Sequence, residues 1–230
     1  MNEHSTNTMI ITLDGPAGAG KSSAARSLAA RLGWCYIDTG AMYRAVAMVA
    51  LEQGIPLEDS SRVAALAESI QIVFQDGSVL VDGRDVSSEI RSERITLATR
   101  PVADAPPVRD AMKRVQRRMA DGRNVVTEGR DQGSVVFPHA AVKVFLTASP
   151  EARASRRHLE EMSRGRDTTF EQILESQSCR DEADRTRPVG ALRPAHDAVV
   201  LETDSLSCDE VIDCLIALIE ARKQSPQKTV

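Results

Sequence analysis

The sequence predicts an α/β fold: a doubly wound parallel sheet built around a phosphate-binding loop, with an inserted subdomain and a helical lid. Three observations carry this. Residues 15–23 read GPAGAGKSS directly after the apolar run Met9–Leu13. Further short apolar runs at Cys35–Ile37, Val125–Thr127, Val142–Leu146 and Val199–Leu201 alternate with helical patterns, the rhythm of strands joined by helical crossovers. One stretch, about 56–107, breaks that rhythm with a hairpin signal.

Met9–Leu13 reads as the first strand, and the turn after it fits G-x-x-x-x-G-K followed by Ser through Gly15, Gly20, Lys21 and Ser22, with Pro16, Ala17, Gly18 and Ala19 between and Ser23 beyond. Glycines let the backbone curl so that successive N–H groups face phosphate oxygens. A helix over Ser22–Leu32, with Ala24, Leu28 and Leu32 on one face, adds the positive end of its dipole. Lys21 is then placed for the β- and γ-phosphates, and Ser22 offers a hydroxyl to Mg²⁺. The loop predicts a nucleoside-triphosphate site.

The strand Cys35–Ile37 leads into Asp38-Thr39-Gly40-Ala41-Met42-Tyr43-Arg44. Thr39 is expected to cap a helix over Ala41–Gln53, with Arg44 one turn inside and able to point back at an anion. Ile70–Phe74, the turn Asp76-Gly77, Val79–Val81, Asp82-Gly83 and a short piece at Asp85–Val86 read as the hairpin, with Pro56 and Pro106-Pro107 near the edges of the insertion. A helix over Val108–Ala120 returns the chain to the strand Val125–Thr127. Glu128, Arg130 and Asp131 follow it, where ligands gather on an open α/β sheet.

After the strand Val142–Leu146, helices over Glu151–Ser163 and Phe170–Glu182 crowd charges of both signs, and residues 155–190 are expected to form a mobile lid. Arg153, Arg156 and Arg157 fall on one helical face. Arg180, Asp184 and Arg187 recur at i, i+4 and i+7. Such arginines would neutralise the spread charge of a transferring phosphoryl group and keep water out. The strand Val199–Leu201 and a helix over Asp209–Arg222 complete a single domain, 9–222, with flexible tails at 1–8 and 223–230. The four strands after the first read as buried on both faces.

Only 3% of the 230 residues are aromatic, so aliphatic side chains must fill the core. A net charge of −4 argues against a general nucleic-acid or membrane-surface role. Cys35, Cys179, Cys208 and Cys214 show no metal spacing and read as buried or incidental thiols. No secretory pattern opens the sequence and no apolar run is long enough to span a membrane, so a cytoplasmic monomer is expected. No N-K-x-D guanine motif and no LSGGQ accompany the loop.

The pieces GPAGAGKSS, YIDTGAMYR, VRDAM, EGRDQGSVVFPHAAVKVFL, RDEADRTRPVGAL and LRPAHDAVVLETDSLS resemble the bacterial cytidylate kinases, from about Met9 to Arg222. The resemblance implies a P-loop nucleoside-monophosphate kinase core with an inserted monophosphate-binding subdomain, using ATP with Mg²⁺ to phosphorylate CMP and dCMP. It implies that Thr39, Tyr43 and Arg44 line the CMP site, that Arg44 and Arg130 share the α-phosphate, and that Arg109 approaches the cytosine ring. Asp131 would face the base amino group and Asp184 the ribose hydroxyls. Arg157, Arg180 and Arg187 would be lid or phosphate arginines, Arg157 on the ATP side and Arg180 and Arg187 on the CMP side, with Lys21, Arg130 and Arg187 catalytic. The chain departs from the family pattern at Glu128, where Asp is common, and at Ser22-Ser23, where Gly-Thr is common. It departs again at Ala183, where some members have another arginine, and at Arg100-Pro101, where a serine often helps read the base. Two alternatives stand beside this reading: a uridylate, shikimate or other small-substrate kinase of the same fold, and a nucleotide-binding regulator that hydrolyses slowly.

Overall fold

The computed structural model describes residues 8–75, 77–163 and 165–224. In chain order they form β1 (Ile10–Asp14), α1 (Lys21–Leu32), β2 (Cys35–Asp38), α2 (Thr39–Glu52) and α3 (Ser60–Ser69). There follow β3 (Ile72–Gln75), β4 (Ser78–Val81), β5 (Arg84–Asp85), α4 (Glu93–Asp104), α5 (Pro106–Ala120) and β6 (Val125–Gly129). The chain closes with β7 (Val142–Thr147), α6 (Pro150–Ser163), α7 (Phe170–Thr186), β8 (Val199–Glu202) and α8 (Cys208–Gln224). Lys223 and Gln224, expected in a tail, belong to α8 instead. Residues 1–7 and 225–230, and Asp76 of the expected turn, lie outside the described residues.

The chain divides into two compact units, one made of the residues up to Cys35 and from Gly122 onward, the other of Tyr36–Asp121. In the first, β1 pairs in parallel with β6 on one side and β7 on the other, and β7 pairs in parallel with β8. Cys35 enters beside β6 by donating its N–H to the Asn124 carbonyl at 3.0 Å. Ile11, Leu13, Val125, Val126, Val144 and Leu146 are buried in this sheet, and Leu28 of α1 with Leu215 and Ile219 of α8 supplies the helical layer. Aliphatic packing of this kind is what a chain poor in aromatics must use. Two strands depart from the expected burial on both faces: in β2, Cys35 is exposed and Tyr36 half-buried, and the last strand departs further. β8 pairs only with β7 among the described residues, and Val199 and Val200 on this edge are exposed.

The second unit begins inside β2, at Tyr36, and its first helix is α2. Asp38, not Thr39, caps it: the Asp38 side chain accepts the Ala41 N–H at 2.7 Å, and Thr39 is the first helical residue. Both residue types cap well, and the chain enters the helix one residue earlier than expected. The hairpin forms, with β3 and β4 antiparallel from Ile72 opposite Val81 to Gln75 opposite Ser78, and β5 adds a short third strand.

Two helices of this unit were not foreseen. α3 is capped by the Asp59 side chain, which accepts the Arg62 N–H at 3.1 Å, and it buries Val63, Leu66 and Ala67. α4 contains Pro101, which supplies no N–H to the turn before it and so argues locally against a helix. Burial of Ile95 and Val102 on one face overrides that cost. All four cysteines are free and exposed, so none is a buried thiol.

Candidate active site

The phosphate loop leaves β1 where the sheet order reverses, between the ends of β6 and β7. Asp14 stands level with Gly129 on one side and Phe145 on the other. Such a switch point opens a crevice at the carboxyl ends of the strands. Gly15 is required there, since a Cβ would lie 1.9 Å from the Leu146 carbonyl oxygen. Gly20 takes φ 86 at the cap of α1 with no side-chain cap, so the first N–H groups of α1 are left for an anion.

Lys21 is buried, its Nζ donating to the Pro16 carbonyl at 2.7 Å. Burial, with Arg130 adding repulsion, pushes its ammonium down from 10.5 to about 7. A phosphate arriving here would restore that charge. The Ser22 hydroxyl donates to Glu128 Oε1 at 2.7 Å. With its hydrogen committed to a carboxylate, Ser22 Oγ keeps lone pairs for a cation, and the two oxygen groups fit the hard-donor preference of Mg²⁺.

Past β6 the chain makes a tight π-type turn over Gln132–Val136. Asp14 holds it, accepting the Gln132 and Gly133 N–H groups at 2.8 and 2.7 Å. Burial raises the Asp14 carboxyl to about 6 despite those bonds. The same turn carries the buried Asp131. Arg130 Nε donates to Asp184 Oδ2 at 2.8 Å, and Arg187 grips the other oxygen. Arg180 acts on both Asp184 and Lys21. Arg130, Arg180, Asp184 and Arg187 thus come together, although Arg187 caps α7 and does not lie inside it.

Arg153, Arg156 and Arg157 do not form one row. Arg153 is buried against Asp181, Arg156 turns to Thr203, and Arg157 pairs with Glu160 and Glu161 at 3.0 and 2.6 Å on its own helix. Helical spacing put them on one face, but three different neighbours claim them.

In the second unit, the Arg44 guanidinium lies over the first turn of α2, 3.9 Å from Asp38 and 3.3 Å from where a Gly40 Cβ would be. A cation at a helix N-terminus opposes the dipole, and Arg44 Nε is buried without a hydrogen-bond partner among the described residues. An anion would resolve both. Arg109 is buried over the Tyr43 ring, 5.8 Å from its centroid, and donates to the Ala103 carbonyl at 3.0 Å. Arg100 is exposed and faces Asp104 at 3.7 Å.

Sequence reasoning missed the roles of Asp14, Glu128 as the Ser22 acceptor, and Asp181. An acid ending an apolar strand just before the loop was the one available signal, at Asp14.

A parallel sheet with this loop at its switch point, and arginines at the neighbouring strand end, defines a P-loop nucleoside-monophosphate kinase. The chain belongs to the cytidylate kinase family, whose model, described as cytidylate kinase, matches residues 11–221. It is 50% identical over 211 residues to the cytidylate kinase of Rhodopirellula baltica, covering 92% of each chain. It is 42% identical over 222 residues to that of Vibrio cholerae, covering 95% of this chain and 99% of the other. Among solved structures, TT1252 from Thermus thermophilus aligns with a TM-score of 0.53 at 16% identity, covering 95% of this chain and 99% of that one. That likeness concerns the fold alone.

Proposed function

We propose that this enzyme transfers the γ-phosphoryl group of ATP to CMP and dCMP. The observation that carries the reading is the buried Lys21 in its loop, with the Arg130–Asp184–Arg187 cluster built from the neighbouring strand end; the names of the relatives supply the base. The loop N–H groups and Lys21 hold the β- and γ-phosphates. Arg157 assists on the ATP side, and Arg180 and Arg187 neutralise charge on the transferring group. Arg44 and Arg130 grip the α-phosphate of the monophosphate, an oxygen of which attacks the γ-phosphorus as the bond to ADP breaks. Thr39, Tyr43 and Arg109 line the pyrimidine side, Asp131 accepts from the cytosine amino group, and Asp184 accepts from the ribose.

Mg²⁺, held by Ser22 with Glu128 behind it, would supply neutralisation of the β,γ-phosphate oxygens. The insertion at about 56–107 takes the role of the monophosphate-binding subdomain, and the region of about 155–190 that of the lid. Among the described residues no helix is long and apolar enough to cross a membrane, and the reading is of a monomeric cytoplasmic enzyme that binds neither nucleic acid nor membrane. ADP release measured with CMP, dCMP, UMP, AMP, GMP and shikimate ranks the acceptors. CMP and dCMP should lead, and a lead by UMP or shikimate would favour another kinase of this fold.

A further inference from the structure

Arg153 and Asp181 are 3% and 1% exposed and form an ion pair at 2.5 Å, yet neither has a part in substrate binding above. Both turn to one residue of the phosphate loop. Arg153 donates to the Ala17 carbonyl at 2.9 Å, and the Ala17 N–H donates to Asp181 Oδ1 at 3.4 Å. Arg153 Nε reaches the Ala148 carbonyl at 3.1 Å, just past β7, and Gln177 of α7 donates to the Arg153 carbonyl at 3.4 Å. A Cβ on Gly18 would lie 3.0 Å from both Arg153 Cβ and Gln177 Nε2. Loop, β7 end, α6 and α7 meet at this one junction.

Stability alone accounts poorly for such a pair. Desolvation cancels much of the attraction between buried charges, and apolar packing often serves as well. What apolar packing cannot do is hold both polar groups of Ala17, and so fix peptide orientation in a loop that works by the direction of its N–H groups. On α7, Asp181 adjoins Arg180 and stands one turn before Asp184, so movement at Ala17 is felt by the face that carries them.

We propose that Arg153 and Asp181 are positioning residues: a latch that presets the phosphate loop for the triphosphate and keeps the charged face of α7 in register with it. The proposal rests on the reading of the loop as the ATP site.

The double variant Arg153→Met/Asp181→Leu keeps a packed junction while Ala17 loses both partners. Because small misplacements at a reacting centre cost up to about 10²-fold, the Kd for Mg-ATP should rise and kcat should fall by at least about 10-fold each. If the variant melts cooperatively with Mg-ATP affinity and kcat both within about twofold of wild type, the pair is only structural and the latch is refuted. Should the double variant not fold, the isosteric Asp181→Asn is judged by the same readouts. In the nucleotide-free wild type, the Ala17 amide should be protected from hydrogen exchange, and unprotected exchange would also refute the latch. A wild type that fails to bind Mg-ATP would remove the loop reading itself; an ATP-binding wild type with unaffected variants removes the latch alone.

Discussion

Arg130 and Asp184 meet at 2.8 Å across 54 residues of sequence, joining the end of β6 to α7. Burial alone would raise the Asp184 carboxyl, but Arg130, Arg187 and Arg180 outweigh it and hold it below its ordinary value of 3.8. A carboxyl depressed in the folded state contributes stability that is full above the unfolded pKa and is lost as pH falls through the folded one. Thermal unfolding of wild type and Asp184→Asn should therefore show a constant wild-type advantage near neutrality that closes below pH 3.8. A gap unchanged far into acid would contradict the pairing.

Lys21 predicts both a loss and a pH profile. Lys21→Ala should lower turnover by at least about 10²-fold, roughly 3 kcal/mol of barrier, while cooperative melting is retained. With its free-state pKa at about 7, kcat/KM for ATP should fall above neutrality. Bound phosphates favour the ammonium, so the alkaline limb of kcat should lie at higher pH. A kcat/KM profile flat into strong alkali would contradict the buried-lysine account.

The phosphate arginines should not tolerate lysine. Arg44, Arg130 and Arg187 are each expected to lose at least about 10-fold in kcat/KM on change to Lys, since one ammonium cannot copy a planar fork. Arg222 is exposed at the end of α8 and should be indifferent. Equal tolerance at all four positions would make the clusters solvated surface.

On the proposed reading, Asp131 and not the 99–100 segment should decide base choice. The Thr99 hydroxyl donates within α4 to the Ile95 carbonyl at 2.6 Å, and Arg100 faces Asp104 in the open. A carboxylate accepts from the cytosine amino group and repels the uracil carbonyl. The ratio of kcat/KM for CMP over UMP should narrow in Asp131→Asn and hold in Thr99→Ala. The reverse pattern would move the discrimination to α4.

The loop, the parallel strands and the hairpin were legible because each is written in adjacent residues: Gly15 to Ser22, apolar runs, turn glycines. Segment 56–107 also hid two helices, since Pro101 speaks locally against α4 and only the burial of Ile95 and Val102 decides for it. The Asp38 cap differs from the expected Thr39 by one residue, a choice between two good capping groups. Arg153 was grouped with Arg156 and Arg157 because spacing shows a shared face but not what covers it. Its partner Asp181 lies 28 residues on, along another helix, and no local pattern links them. Asp184 was legible as a charged partner on α7, whereas its bridge between Arg130 and Arg187 required the fold.

The most direct test of the account follows both products. Purified enzyme with Mg-ATP is incubated with and without CMP, and ADP and CDP are quantified by chromatography over time. The account predicts ADP release that is negligible without CMP, accelerates by at least about 10³-fold with it, and is matched one to one by CDP. ADP release that CMP does not accelerate, or that appears without CDP, would contradict phosphoryl transfer to the monophosphate and leave a slow nucleotide hydrolase.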